Sequence, residues 1–415
     1  MRTTTSSTTY RRLGHDLAAV VVLGGLFLIG VLFIVRAAGR PFISPTTSNA
    51  WAKLFFHGGA SEIVGTRPPG ATRRDMLLWE LTENHVFKVF FLELANRYDQ
   101  FIGWNVPALH PAGAPFVVRH GYLGRSRYVA TPVRRQIVEM ATGAMRAFRN
   151  GGIPAVYVVP PTRFSAADEP FDGVFNFENA LQDEIVAALA ARDFRCLDTR
   201  AEMAAANLEP HAAFFATDHH FTPETGLWVA QAIARHLQRT LGLPLDLTAL
   251  ETNRFRFANR PRCFLGSMGR RTTLARCKPD DFPLMDTSFP GDFELRIPAR
   301  RLQARGPFRI LLWPERLETA NPYQSNPYTA YLWSDNPLVS IRNHSCTNGI
   351  RLLFLSDSVD NVVAPPIASA VSEVVTMDFR HNPPDLWAYL AQNRFDAVLL
   401  FWHFPEPGYQ SRFRR

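Results

Sequence analysis

The chain has 415 residues, 47% of them hydrophobic, enough to bury one large core or two smaller ones. Its formal net charge is +8, nearly all from arginine, since lysine appears only at Lys53, Lys88 and Lys278. A basic balance can suit nucleic acid, a membrane surface or an anionic polymer. No basic run interleaved with aromatics accompanies the charge, which argues against nucleic acid, and the arginine bias reads as genome composition.

Residues 1–16 are polar and carry Arg2, Arg11 and Arg12; Leu17 to Val35 is then 19 residues without a charge. At about 1.5 Å per residue that span reaches about 28 Å, enough to cross a bilayer core. The apolar region of a cleaved signal peptide is shorter, about 7–15 residues, and Val35-Arg36-Ala37 is a poor cleavage site. The expectation is a cytoplasmic tail over 1–16, an uncleaved transmembrane anchor over 17–37 and a linker over 38–75. Three arginines and the amino terminus precede the span against Arg36 and Arg40 after it. The positive-inside rule therefore places residue 76 onward outside the cytoplasm, in the periplasm or at the cell exterior.

The folded domain is expected over 76–415. Val133, Ile137, Met140, Ala144 and Phe148 form a helix stripe that Gly151-Gly152 ends. Ile153 to Val159 is a buried strand closed by Pro160-Pro161, and Glu178 to Arg192 is a second helix. That alternation is the pattern of a parallel α/β fold. Residues 243–350, rich in Pro, Gly and Arg, read as an insertion of hairpins and loops. The α/β pattern resumes with a strand at Leu352 to Leu355, a proline-disturbed helix at Val359 to Ala370 and a strand at Val374 to Met377. A helix at Pro383 to Gln392 and a last strand at Ala397 to Phe401 follow.

Two stretches carry chemistry. In Thr217-Asp218-His219-His220-Phe221-Thr222-Pro223-Glu224, Thr222 is a fit N-cap and Pro223 suits the first helical position. Asp218 and His220 therefore lie in a loop at the positive end of a helix. The second stretch, Leu352-Leu353-Phe354-Leu355-Ser356-Asp357-Ser358, is an apolar strand ending in a polar turn, where a nucleophile can stand clear of a sheet. Carboxylate, imidazole and hydroxyl are the groups of a nucleophilic triad. Each residue alone is as well explained as a helix cap. Asp-His-His also marks a class of metal phosphoesterases, but those need further aspartates at strand ends. Here Asp168, Asp172, Asp183, Asp193 and Asp198 fall mostly in loops or helices, so neither a metal nor another cofactor is expected. The four cysteines include no C-x-x-C pair; Cys263 and Cys277 flank one loop and could be bridged in an oxidising compartment.

With these blocks in order, the chain resembles the DHHW family of SGNH-hydrolase-like proteins, whose relatives include the periplasmic alginate O-acetyltransferases. Thr217 to Glu224 is similar to the family's Asp-His-His-Trp-Thr-Pro-Glu block. Phe264 to Thr272 is similar to its Gly-Ser-Leu-Gly-Lys-Arg block. Asp280-Asp281-Phe282, Asp286-Thr287-Ser288-Phe289, Tyr328-Thr329-Ala330-Tyr331, Asp335-Asn336-Pro337-Leu338 and Asp357-Ser358-Val359 follow in family order, over roughly residues 130–402. Phe221 stands where the family has Trp, Val359 where it has Phe, and Ser356 where it has Gly.

The resemblance implies an SGNH-hydrolase-like α/β fold, a flavodoxin-like parallel sheet flanked by helices. It also implies Ser358 as nucleophile, rather than Ser356, with His220 as base and Asp218 as its orienter. Asn361, His219 and Arg380 are candidates for the substrate or oxyanion contacts, with the Ser358 backbone N–H. The implied activity is O-acyl transfer, of acetyl, to hydroxyls of an extracytoplasmic polysaccharide. The acetyl would come from a membrane-bound acyltransferase partner, and an arginine-lined groove would suit an anionic glycan. The rival readings are a carbohydrate esterase of the same fold and a non-catalytic glycan-binding subunit of a polysaccharide export complex.

Overall fold

A computed structural model describes residues 115–117, 121–125, 130–163, 177–317, 322–323 and 325–414. The expected tail, anchor and linker lie outside these residues. Among the described ones, no helix is long and apolar enough to cross a membrane.

In chain order, β1 (Pro115–Val117) and β2 (Leu123–Arg125) form a short hairpin. Then come α1 (Thr131–Asn150), β3 (Ala155–Val159), α2 (Phe177–Ala190), β4 (Cys196–Asp198), α3 (Thr199–Ala205) and α4 (Pro223–Leu241). The middle of the chain gives β5 (Phe255–Phe264), α5 (Gly269–Arg276), β6 (Asp280–Thr287), β7 (Phe293–Ile297), β8 (Leu302–Gly306) and β9 (Leu338–Asn343). The last part gives β10 (Arg351–Ser356), α6 (Ala364–Ile367), β11 (Glu373–Asp378), α7 (Leu386–Gln392) and β12 (Ala397–Phe401).

Among the described residues, eight strands form one sheet in the order β4-β3-β12-β10-β11-β9-β7-β8. The pairs from β4 to β11 are parallel. Those from β11 through β9 and β7 to β8 are antiparallel. Two expectations change. The sheet is mixed, and its parallel strands, numbered in sequence, run 2-1-5-3-4 where a flavodoxin-like sheet runs 2-1-3-4-5. The final strand enters the centre, between β3 and β10, because its wholly apolar Ala-Val-Leu-Leu-Phe run is buried along its whole length. The presumed insertion 243–350 is only in part separate. Its β5–β6 hairpin stands apart, while β7, β8 and β9 extend the main sheet.

Alternation along the strands builds the core. Val156, Val158, Leu352, Phe354, Leu399 and Phe401 face one hydrophobic cluster, with Leu227, Ala230, Ile233 and Leu237 of α4. Tyr157, Val159, Leu353, Leu355, Val398 and Leu400 face the other, with Ile137, Met140 and Phe148 of α1 and Leu181, Ile185 and Leu189 of α2. Helices on both faces explain why these strands read as unbroken apolar runs rather than alternating ones. Truncating a fully buried member such as Ile233 or Leu353 to alanine would cost about 2–5 kcal/mol.

The expected helix over 359–370 is instead a 3₁₀ turn, Ser358–Val362, followed by the four-residue α6 with Pro365 and Pro366 near its start. Proline tolerates only the first turn of a helix, so the segment cannot run as one piece. All four cysteines are free thiols; Cys263 Sγ approaches Arg260 O, whereas Cys277 Sγ approaches Thr273 O, so the expected bridge is not formed.

Candidate active site

The Asp-His-His segment is the tip of a small hairpin. Thr222 N donates to Ala213 O at 2.9 Å and Phe215 N to His220 O at 3.3 Å, with Phe214 bridged to Phe221. The Thr222 hydroxyl then caps α4, accepting from Thr225 N at 3.3 Å, with Pro223 in the first turn. The loop backbone is tied on several sides. The Asp280 carboxylate accepts from Ala216 N and Thr217 N, both at 2.8 Å, and from the Thr217 hydroxyl at 2.6 Å. Gly266 N donates to Thr217 Oγ1 at 2.9 Å, and Gly269 N to Thr217 O at 2.9 Å. A Cβ on Gly266 would stand 2.2 Å from Asp218 Cβ, so only glycine lets this loop approach.

Asp218 is 3% exposed, yet its carboxyl is held well below the usual range. Burial pushes it up; the neighbouring His219 and His220 and the hydrogen bonds from His220 and Ser267 N outweigh that. Its Oδ1 accepts from His220 N at 3.0 Å and from His220 Nδ1 at 2.5 Å, and its Oδ2 from Ser267 N at 2.5 Å. With the Nδ1 proton held there, His220 Nε2 is the acceptor, and Ser358 Oγ lies 2.8 Å from it. The structure thus brings Asp218, His220 and Ser358 into one hydrogen-bonded line across 138 residues of sequence. Tyr328 stacks on the His220 ring at 3.9 Å and 22°, while His219 lies tilted against it at 3.9 Å.

Ser358 opens the 3₁₀ turn at the carboxyl end of β10, a rim position where ligands of open α/β sheets bind. Asp357 fixes the turn: its side chain accepts from Val359 N at 3.2 Å and, just past β12, from His403 N at 3.0 Å. The start of α4 packs on the same turn. A Cβ on Gly226 would come 2.4 Å from Val362 O, and that close approach carries the histidine loop to the serine. Ser356, the rival hydroxyl, is 1% exposed and donates to Asp360 Oδ2.

The remaining candidates divide. Asn361 shares a small cleft with Ser358, its amide donating to Asp335 Oδ1 at 2.9 Å. His219 contacts Ser267 Oγ at 3.0 Å and stacks in parallel on His403 at 5.7 Å. Arg380 does not reach the serine as a free cation: its Nε and Nη2 grip Asp378 at 3.0 and 2.6 Å, and Nη2 reaches Asp335 at 3.1 Å. Among the described residues, Asp335, Asp357, Asp360 and Asp378 line this cleft and no arginine or lysine does. Its volume is about 10 Å³, room for about one water. Burial pushes the Asp360 carboxyl well above its usual range; the nearby Asp378, Asp357 and Asp335 act the same way, and the Ser356 hydrogen bond opposes them.

Donor atoms of Asp218, His219 and His220 lie within 4.8 Å of one another, as do those of Asp335, Asp378 and His381. In the first group each Asp218 oxygen already accepts N–H bonds; in the second, Arg380 bridges the two carboxylates. Sequence reasoning passed over Arg163, Asp360 and Asp378, and gave Tyr328, Asp335 and Asp357 no role at the site although it quoted them in the family blocks. Arg163, just after Pro160-Pro161 at the end of β3, could have been found from that rim position.

Residues 125–287 match the family described as ALGX, SGNH hydrolase-like domain, acetyltransferase AlgX, a span that includes Asp218 and His220. No curated protein matches the chain. Among solved structures, Bacillus cereus PatB1 with a sulfonyl adduct is similar at 13% identity and a TM-score of 0.57. That likeness covers 72% of this chain and 97% of PatB1. A DHHW family protein from Eubacterium siraeum is similar at 16% identity and a TM-score of 0.53, over 71% and 91% of the two chains. At such identities the likeness is one of fold. Residues 125–287 are therefore similar to the SGNH hydrolase-like domain of AlgX, and the chain shares its fold with PatB1 and a DHHW family protein.

Proposed function

We propose that the protein transfers an O-acyl group, acetyl, to hydroxyls of an extracytoplasmic polysaccharide through an acyl-serine. The observation that carries this reading is the line Asp218 Oδ1–His220 Nδ1 at 2.5 Å and His220 Nε2–Ser358 Oγ at 2.8 Å. A serine hydroxyl is a weak nucleophile until a base at such a distance removes its proton. His220 Nε2 takes that proton as Oγ attacks the acyl carbonyl, and Asp218 steadies the imidazolium. The collapsing intermediate expels the donor's oxygen, which takes the proton from Nε2 and leaves the acyl on Oγ. A sugar hydroxyl then gives its proton to Nε2 and attacks the acyl carbon; Ser358 leaves with the proton and the sugar carries the ester. The Ser358 N–H and the amide of Asn361, which shares the cleft with Ser358, are assigned as donors to the developing oxyanion.

The family match supports acyl transfer in general terms. The carboxylates around Ser358 favour a neutral sugar face at the reacting hydroxyl over a uronate. The remainder of the proposal is topological: an anchor over 17–37, a domain over 76–415 facing the periplasm or exterior, and a membrane-bound acyltransferase handing over acetyl. A second reading, carbohydrate esterase, draws on the water-sized cleft beside the serine, since water in place of sugar would resolve the same intermediate. The hydrogen-bonded line counts against a non-catalytic glycan-binding subunit.

The test uses the outward-facing portion, an activated acetyl ester as donor, and neutral and uronate oligosaccharides as acceptors. The expected result is ester release and acetyl on the neutral oligosaccharide, both absent in Ser358→Ala and both kept in Ser356→Ala. Ester release with no acetylated sugar selects the esterase; parental turnover in Ser358→Ala refutes both.

A further inference from the structure

One buried cation beside the site has no part in the steps above. Arg163 is 5% exposed at the carboxyl end of β3. Its Nη1 donates to Phe215 O at 2.7 Å and to Asp218 O, and its Nη2 donates to Ala216 O at 2.9 Å. Three carbonyls of the loop that carries orienter and base thus converge on one guanidinium. The N–H groups of Ala216 and Thr217 instead meet the Asp280 carboxylate, so the loop's peptide dipoles are clamped between a cation and an anion. A planar fork holds these three carbonyls at fixed, spread positions, whereas the three donors of an ammonium sit at one point on a flexible stem.

We propose that Arg163 is the positioning residue of the catalytic loop, its fork fixing the backbone that carries Asp218 and His220 and its charge facing the Asp218 carboxylate. The inference rests on the acyl-serine reading above. The charged and titratable groups facing Arg163 are Asp218, Asp280, Tyr122 and Glu178. Those facing the pair are His219 and Tyr328, with the Ser358 hydroxyl on Nε2. Burial pushes the guanidinium down to about 10 while the facing carboxylates hold it up, so it stays charged at neutral pH. Without it, Asp218 and Asp280 would share the loop with no arginine between them. The Asp218 carboxyl would then keep a proton more easily, and its hold on His220 would be lost at a higher pH.

The experiment follows the rate of fluorophosphonate labelling of the full chain against pH, for the parent, Arg163→Gln and Arg163→Lys, with folding checked by circular dichroism. Arg163→Gln should label about 10-fold or more slowly at its plateau. Its acid limb should also move up by about half a pH unit or more. Arg163→Lys should keep the parental limb, because the charge remains, and still label slowly, because the fork is gone. A folded Arg163→Gln with an unmoved limb overturns the proposal, since a merely structural role would lower the rate at every pH alike. So does a parental plateau in Arg163→Lys. Should Arg163→Gln not fold, Arg163→Lys decides alone: a moved limb or an unchanged plateau overturns the proposal. A parent that does not label, or labels equally after Ser358→Ala, overturns the acyl-serine reading itself.

Discussion

Gly266→Ala tests whether the geometry of Asp218 limits the chemistry. The new methyl carbon would lie 2.2 Å from Asp218 Cβ, 2.5 Å from Oδ2 and 2.7 Å from Cα. Carbon–carbon contacts settle near 3.5–4.0 Å, so one partner must retreat by about 1.3 Å. The methyl cannot swing away, and the Gly266 backbone is held by its N–H bond to Thr217 Oγ1, so Asp218 should move. A retreat of about 1 Å takes the 2.5 Å bond to His220 Nδ1 to roughly 3.5 Å, outside hydrogen-bond range. Such misplacement costs about 10²-fold in rate, or about 2.7 kcal/mol of transition-state stabilisation. Overpacking should also cost about 1–3 kcal/mol of stability. The assay pairs fluorophosphonate labelling rate with Tm, and Gly143→Ala is the control, since a Cβ there meets nothing within 4 Å. In the helix interior that control should gain about 0.5–1 kcal/mol. A folded Gly266→Ala that labels at the parental rate would refute the reasoning.

Thr222→Ala removes the cap of α4 and should lower stability by about 1 kcal/mol in chemical denaturation, with a parental m-value. Asp360→Asn should raise Tm near neutral pH and leave it nearly unchanged near pH 4. An acid whose folded pKa is raised costs stability as pH climbs past its unfolded value of about 3.9, and the amide has no such cost. Asp218 has the opposite sign. Its contribution is present above that unfolded value and is lost as pH falls through the depressed one, so Asp218→Asn should flatten the acid end of the stability curve. Non-reducing peptide maps of native protein should return Cys263 and Cys277 as separate alkylated peptides.

The strands and helices that line the core were legible because their burial is periodic. Ile137, Met140, Ala144 and Phe148 fall on one stripe of α1, and Ala397 to Phe401 is apolar throughout. Strand order was not legible. Nothing in the composition of β12 says that it pairs with β3 and β10, since any wholly apolar strand satisfies both faces of any central position. The role of 293–343 was missed for a related reason. Polar β8 and the mixed β7 and β9 read as surface hairpins, because an antiparallel edge extension need bury only part of each strand.

Of the site, the hydrogen-bonded line was visible and its electrostatic surroundings were not. Asp218, His220 and Ser358 announce themselves by residue type and by position at a helix start and a strand end. The groups that set their charge do so only in three dimensions. Arg163 lies 55 residues from Asp218 and Asp335 lies 26 from Asn361, yet each pair is in direct contact. The outcome is a division of charge that no linear reading suggests. The base side of the site has a buried cation behind it, held by backbone carbonyls. The nucleophile side faces carboxylates, two of them tied to Arg380. The loop is thus held between a buried cation and a buried carboxylate, while the cleft beside Ser358 is acidic. In the proposed reaction a neutral acyl ester suffers little in such a field, and the donor's oxygen leaves neutral because it takes the proton from Nε2. That asymmetry comes from residues placed around Asp218, His220 and Ser358 rather than from those three residues themselves.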